Sequence, residues 1–289
     1  MLLFRQLTCP SRRTPFSNIA TYLARQRRRN AQFQRYNEAK MTELSFQLYS
    51  ARNVPSLEDF LATLGTLGYT QVEGYGGLYA DPAALAASLK KNGLSMPTGH
   101  FGPAQVADVE TTLKTAETLG IKKIFCPHIG PEGRSTDESK WLELAEMLAG
   151  AAETYTKHGY GFGWHNHDFE FVPTSSGRTP MEIILETAPK IEWEADVAWI
   201  VRGKADPVAW FDKYGDRITA VHVKDIAPAG ECLDEDGWAD VGQGVLNWDE
   251  LIGKVTSKTR AEYFVAEHDK PSDPVRFATR SIAAAKKWK

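Results

Sequence analysis

The sequence predicts a single (β/α)8 barrel of the TIM type, on three observations. From Met41 onward, short apolar runs alternate with longer stretches of helical periodicity, the pattern of successive βαβ units on a parallel sheet. Eight strand–helix pairs come out of that alternation, with no long linker or change of composition dividing them. The length of 289 residues also suits one such barrel, for which about 250 residues is typical.

The strands are read in order at Leu44–Tyr49, Gln71–Glu73, Met96–Gly99, Lys123–Cys126, Gly161–His165, Ile191–Asp196, Ile218–His222 and Tyr263–Glu267. The first helix follows from Leu57, Phe60, Leu61, Leu64 and Leu67, whose spacing of three and four puts them on one buried face. The second, Pro82–Asn92, has Asp81 as its N-cap and Pro82 at the first helical position, and it stops before Gly93. Helices Asp108–Leu119 and Ser139–His158 run into Gly120 and Gly159, which suit C-terminal stops. Pro180–Ala188, Pro207–Tyr214 (with Asp206 as N-cap), Trp248–Lys258 and Asp273–Lys287 complete the set. Two segments are longer than the other connections, Val172–Thr179 and Ile226–Asn247. Both follow a strand, which in a barrel places them on the C-terminal face where active sites are built. The second contains Val241-Gly242-Gln243-Gly244, suited to a tight loop approaching a ligand or equally to a flexible surface loop.

With 42% hydrophobic and 25% charged residues, wholesale disorder is excluded. No apolar run approaches the roughly 20 residues of a membrane-spanning helix. Cys9, Cys126 and Cys232 show no paired spacing, as expected of a reducing, cytoplasmic setting. Residues 1–40 hold eight Arg and one Lys against one acid, Glu38; that charge of about +8 leaves the remainder near −11. The chain is therefore divided into a basic extension over 1–40, poorly ordered or not native, and a catalytic barrel over 41–289. The favoured reading takes Met41, just before the first strand signal, as the natural start; the other takes the Arg-rich leader as an organelle transit peptide.

Polar residues concentrate where strands end. The second strand ends at Glu73, the third at His100 and the fourth at His128. The fifth runs into His165-Asn166-His167-Asp168-Phe169-Glu170, the sixth ends at Asp196, the seventh at His222 with Lys224 and Asp225 beyond it, and the eighth at Glu267. Five of the seven histidines lie at these positions. His165, Asp196, His222 and Glu267 come from four successive strands, so they surround the barrel mouth. Imidazoles and carboxylates converging in that way suit a divalent ion such as Mn, Mg, Co or Zn, acting as a Lewis acid on a carbonyl or hydroxyl. Other imidazoles and carboxylates could then move a proton. Each residue also has an ordinary reading. A lone inward His is usually a satisfied core residue, Asp225 could close an Asx turn, Glu73 could face solvent, and Trp164, Trp199 and Trp238 could pack the core rather than stack on a sugar.

From about Met41 to its end the chain resembles the xylose-isomerase-like barrels of the sugar phosphate isomerase/epimerase type, a superfamily that includes D-tagatose 3-epimerases, inosose dehydratases and endonuclease IV. The resemblance rests on Tyr69-Thr70-Gln71-Val72-Glu73, Trp164-His165-Asn166-His167-Asp168-Phe169-Glu170-Phe171, Glu194-Ala195-Asp196-Val197-Ala198-Trp199, His222-Val223-Lys224-Asp225 and Val265-Ala266-Glu267-His268-Asp269. It implies a divalent ion held by Glu, Asp, His and Glu from strands five to eight. Asp196, His222 and Glu267 match the last three; His165-Asn166-His167 stands where many members have Glu-Asn-His. His165 could be the substitute ligand, Glu170 could swing in, or the protein could supply three ligands only.

The resemblance further implies carbohydrate metabolism and a small sugar or keto-sugar substrate. Proton abstraction beside a carbonyl would give an enediolate, and reprotonation an isomerase or epimerase. The alternative is a dehydratase or 3-keto-glycoside lyase working by β-elimination, which the His-x-His arrangement brings closer. His167 is the candidate base, Glu170 or Glu73 a second proton carrier, and Lys224 a stabiliser of developing negative charge. His100, His128, Trp199 and Asp225 are candidate substrate contacts. A nuclease would need more metal ligands than can be found, and a barrel near −11 repels nucleic acid. An inert binding barrel would have to keep its polar strand ends without metal. Neither a nucleic-acid nor a membrane partner is expected; a homodimer stays open.

Overall fold

The computed structural model describes residues 43–288. The basic extension and its two readings lie outside the described residues. Eight parallel strands close a barrel: β1 (Leu44–Gln47), β2 (Gln71–Gly74), β3 (Ser95–His100), β4 (Lys123–Cys126), β5 (Gly161–His165), β6 (Glu192–Asp196), β7 (Ile218–Val223) and, after a two-strand excursion, β10 (Tyr263–Ala266). The sheet order β1-β10-β7-β6-β5-β4-β3-β2 closes by pairing of β1 with both β10 and β2.

The helices form where the caps and periodicity place them. Ser56 accepts a hydrogen bond from the Asp59 N–H to start α1 (Leu57–Leu67), which ends on Gly68 at φ 96°. Next come α2 (Pro82–Lys91), α3 (Pro103–Ala107), α4 (Val109–Leu119) and α5 (Glu138–Lys157), then α6 (Pro180–Thr187), whose Thr179 and Glu182 close a capping box. α7 (Val197–Arg202), α8 (Pro207–Tyr214), α9 (Trp248–Lys258) and α10 (Pro274–Ala285) complete the layer. Asp206 caps α8 as expected, through the Val208 N–H.

Besides the added short helix α3, the structure differs from the sequence reading in three places. The first strand stops at Gln47, whose side-chain oxygen accepts the Tyr49 N–H and turns the chain into a 3-10 segment, Leu48–Ala51. Asp196 both ends β6 and caps α7 through the Trp199 N–H, leaving no loop to announce that helix. Within Ile226–Asn247, expected to be a loop, β8 (Asp225–Ile226) pairs antiparallel with β9 (Trp238–Ala239). Among the described residues no helix is long and apolar enough to cross a membrane.

Strand periodicity divides the buried side chains between two faces. Phe46, Val72, Ile124, Trp164, Trp193 and Val221 point outward into the large core under the helices. The inner face carries a much smaller apolar cluster of Phe125, Ala220, Tyr263 and Val265. Gly163 makes room for it, since a Cβ there would stand 2.6 Å from the Phe125 ring. Barrel interiors usually fill with branched aliphatic layers; here the layer at the strands' C-terminal ends is polar, and buried polar groups persist only with partners.

Candidate active site

Every barrel strand except β4, whose inward Phe125 is apolar, contributes to that layer an inward residue near its C-terminal end. They are Gln47, Glu73, His100, His165, Glu194 with Asp196, His222 and Glu267, and all are buried. His222 lies near the centre: its Nε2 is 2.7 Å from Glu73 Oε1 and 3.3 Å from Glu194 Oε2, and its Nδ1 is 2.9 Å from Glu267 Oε2. His100 Nε2 lies 2.6 Å from Glu194 Oε2 and 3.2 Å from Glu73 Oε1. His165 Nδ1 is 3.1 Å from Glu194 Oε2. Gln47 donates to Glu73 Oε1 at 2.7 Å.

The four residues read as a ligand set, His165, Asp196, His222 and Glu267, each offer one atom within 4.8 Å of the others. A metal ion fits this set. Asp196 uses Oδ1 to cap α7, and its buried Oδ2 has no hydrogen-bond partner. Mixed imidazole and carboxylate donors suit zinc and neighbouring divalent ions. Three carboxyl groups crowd one buried lysine, Lys224, whose Nζ lies 2.6 Å from Asp269, 3.4 Å from Glu267 and 3.7 Å from Asp196, while Glu73 and Glu194 add two more buried acids among the histidines. An excess of acid around one cation is what a divalent ion would offset.

Histidines carry part of that compensation. Burial opposes charge on His222, but Glu194, Glu267 and Glu73 outweigh it and hold its pKa well above the imidazole range. Burial likewise opposes charge on His100, and Glu73 with Glu194 pushes it up to about 10. His165 goes the other way, held well below the usual value by burial and by His222. Burial, then Lys224, lowers His167 to about 3. Burial raises Asp196 to about 7 against the pull of Lys224.

The polar layer opens into a cavity of about 550 Å³, lined among others by His100, His128, His165, His167, Glu267 and Asp269. That is ample for a small carbohydrate. At its edge Tyr49 and Tyr75 meet edge to face, 5.3 Å apart, with the Arg52 guanidinium 4.1 Å above the Tyr49 ring.

Residues 61–288 match the family model described as xylose isomerase-like TIM barrel. The chain belongs to that family. A curated relative, the inosose dehydratase of Geobacillus kaustophilus (strain HTA426), is 27% identical over 205 residues, an alignment covering 60% of this chain and 65% of the relative's length. Among solved structures, a sugar phosphate isomerase/epimerase from Parabacteroides distasonis ATCC 8503 superposes with a TM-score of 0.69 at 21% identity, over 85% of this chain and 94% of that one. The IOLI protein, solved with a zinc atom, gives a TM-score of 0.66 at 15% identity over 85% and 96%. These likenesses show the fold; the relatives' names span isomerases or epimerases and a dehydratase.

Within the xylose isomerase-like frame, the side-chain contacts separate four readings that the sequence leaves open. Glu170 does not swing toward the ion site: Oε1 accepts from Trp164 Nε1 at 3.0 Å and Oε2 from the His167 N–H at 2.9 Å. Glu73 faces neither solvent nor cavity; it lies under His222. Trp164 and Trp238 are buried in packing, and Trp199 stands behind His167, 5.3 Å between ring centroids, leaving Tyr49 and Tyr75 as the aromatic edge of the cavity. Lys224 lies under the carboxylates and over the Trp238 ring at 4.2 Å, outside the cavity lining. Glu194, Gln47 and Asp269 were missed. Glu194 carried a signal: it sits two residues before Asp196 on one strand and therefore faces the same way.

Asp225 is also buried away from the cavity. Its carboxylate accepts the N–H groups of Ile226, Gly242, Gly244 and Leu246 at 2.9–3.1 Å, shaping the glycine loop. Asp225→Ala should therefore cost about 3 kcal/mol, because several donors lose their acceptor at once. Thermal unfolding would show the loss, and limited proteolysis should cut at residues 240–247; an unchanged melting temperature and cleavage pattern would refute the assignment.

Proposed function

We propose that the chain is a divalent-metal-dependent enzyme that removes a proton beside the carbonyl of a small keto-sugar, forming an enediolate. The observation that carries this reading is the convergence of His165, Asp196, His222 and Glu267 on one point at the floor of a cavity that His167 also lines. A bound ion would polarise the carbonyl oxygen and acidify the neighbouring C–H.

The chain's own residues supply the rest. His167 is neutral because burial disfavours its charged form, and its ring lines the cavity, so a neutral imidazole stands where it would accept the proton. Glu170 orients His167 by holding its backbone N–H, and the His167 ring stacks on Phe169 at 5.6 Å. His100 and His128 line the cavity where substrate hydroxyls would sit, and Tyr49 and Tyr75 offer ring faces and edges to a sugar. Lys224 acts from behind by holding Glu267 and Asp269 in place.

Reprotonation of the enediolate makes the chain a sugar isomerase or epimerase. Expulsion of a neighbouring oxygen makes it a dehydratase or keto-glycoside lyase, and one observation favours this second outcome. Two-base epimerisation needs proton carriers on opposite faces of one carbon, and the carboxylates expected to serve, Glu73 and Glu170, are both turned away from the cavity. His128 and His167, 6.3 Å apart, instead stand side by side, as a base and a leaving-group acid would. The curated inosose dehydratase relative points in the same direction.

The test is solvent exchange in D₂O with a panel of keto-sugars, before and after chelation. Deuterium should enter at the carbon beside the carbonyl at least about 100-fold faster than in buffer, stop on chelation and return with added Mn, Co or Zn. Loss of water or of an alcohol from the substrate identifies elimination. No exchange with any keto-sugar in metal-replete protein refutes the reading.

A further inference from the structure

The two imidazoles of the ligand set each have one ring nitrogen engaged by a carboxylate deeper in the barrel. His165 Nδ1 lies 3.1 Å from Glu194 Oε2, and His222 Nε2 lies 2.7 Å from Glu73 Oε1. Both carboxylates are fully buried and pinned from behind: His100 Nε2 contacts Glu194 at 2.6 Å and Glu73 at 3.2 Å, and Gln47 donates to Glu73. An ionised carboxylate only accepts hydrogen bonds, so a neutral imidazole facing one keeps its proton on the facing nitrogen and offers the other to an ion. By that rule His165 presents Nε2; His222 faces a carboxylate at each nitrogen, and it presents Nδ1 because the carboxylate on that side, Glu267, belongs to the ligand set. His222 Nδ1 is on the side of the ligand set, 2.9 Å from Glu267 Oε2.

We propose that Glu194 is a positioning residue for the metal, holding the proton on His165 Nδ1 so that Nε2 faces the ion, while Glu73 fixes His222 in the opposite sense. This rests on the reading that the site holds a divalent ion. It explains how a histidine serves at this strand end. A neutral imidazole brings no charge to a divalent cation, and the carboxylate directly behind it supplies that charge and makes the ring a more basic ligand.

Glu194 has a competing role. With His100, His165 and His222 it forms a second, overlapping group whose ligand atoms lie within 4.8 Å of one another, which would make it a direct ligand of a second ion. Its contacts argue against that role: Glu194 Oε2 is shared by three imidazoles, His100 at 2.6 Å, His165 at 3.1 Å and His222 at 3.3 Å, whereas Glu267 Oε2 meets one imidazole, His222, at 2.9 Å, with Lys224 at 3.4 Å. The 2.6 Å contact from His100 is a short hydrogen bond that occupies this oxygen as an acceptor.

The experiment uses the full chain, stripped by chelation and titrated with Co(II), in wild type, Glu194→Gln and Glu194→Ala, with far-UV circular dichroism to verify folding. Wild type should bind one Co(II) per chain. Glu194→Ala should still bind one, about 10–100-fold more weakly, with altered d–d absorption. Glu194→Gln should recover part of the loss, because its carbonyl oxygen can accept the Nδ1–H. An independent arm needs no variant: long-range ¹H–¹⁵N spectra of the zinc-loaded wild type should show His165 protonated at Nδ1 and His222 protonated at Nε2. Two Co(II) ions in wild type, falling to one in Glu194→Gln, would make Glu194 a ligand and overturn the proposal. Undiminished affinity in Glu194→Ala, or metal on His165 Nδ1, would overturn it while leaving the one-ion site intact. Wild type that binds no ion would remove the site reading and the proposal together.

Discussion

His222→Ala is expected to abolish metal binding and turnover together and to destabilise the protein by about 3–5 kcal/mol. The ring belongs to the ligand set and also separates three buried carboxylates, Glu73, Glu194 and Glu267, at 2.7, 3.3 and 2.9 Å. With the ring gone, those acids face one another across a hole that alanine cannot fill. Removing one partner of a buried charge group costs more than the group contributes, because the remaining charges stay desolvated. Metal content should fall from about one ion per chain to near zero, and exchange of substrate protons should drop at least a thousandfold. Metal analysis, exchange in D₂O and thermal unfolding read the three effects separately. Stoichiometric metal in folded His222→Ala would show that the ion lies elsewhere.

How far the site was legible in the sequence follows from what strand periodicity encodes. Alternation tells which face a residue takes, so Glu73, His100, His165, Asp196, His222 and Glu267 could all be placed inside the barrel, and the structure brings them together. Alternation does not say which partner engages a carboxylate. Glu170 lies five residues past His165, and only the folded turn shows both its oxygens taken by Trp164 and the His167 N–H. Alternation puts Glu194 on the face of Asp196, but an acid inside a strand carries no turn or cap signal to mark it as functional. Its role depends on His100 and His165, which lie 94 and 29 residues away.

Glycines and caps locate the helix ends well, because their causes are local: the Gly120 stop and the Asp81 and Asp206 caps need only neighbouring residues. The β8–β9 hairpin was not legible, since two-residue strands have no periodicity to read. What holds that excursion is a tertiary clamp: Arg276 bridges Glu235 and Asp240, and Arg202 lies over the Trp238 ring at 3.2 Å. The same distinction separates Trp238 from a sugar platform. Its composition allowed stacking on substrate, but its packing between Arg202, Lys224 and Trp199 leaves no free face toward the cavity.

His167→Ala should lower kcat for proton abstraction by about 10²–10⁴ while leaving metal content unchanged, the separation expected of a base outside the ligand set. The side chain lines the cavity, its Nδ1 has no partner, and its nearest ligand-set neighbour, His165, is 5.3 Å away between ring centroids. The sign of the pH effect follows from burial. Desolvation and Lys224 depress the His167 pKa to about 3, so the neutral, proton-accepting form persists throughout the neutral range. The rate should therefore not climb through pH 6.5, as it would for an ordinary histidine base. The same desolvation that keeps the ring neutral makes it a weak base at rest. It becomes effective only as negative charge develops on the substrate beside it, which ties proton removal to polarisation of the carbonyl in a single step. Pre-steady-state exchange across pH 5–9, in wild type and His167→Ala, checks both points. An acid limb near pH 6.5 that vanishes in the variant would mean that the ring titrates as a solvent-exposed histidine does, and full activity in the variant would pass the proton to His128 or Asp269.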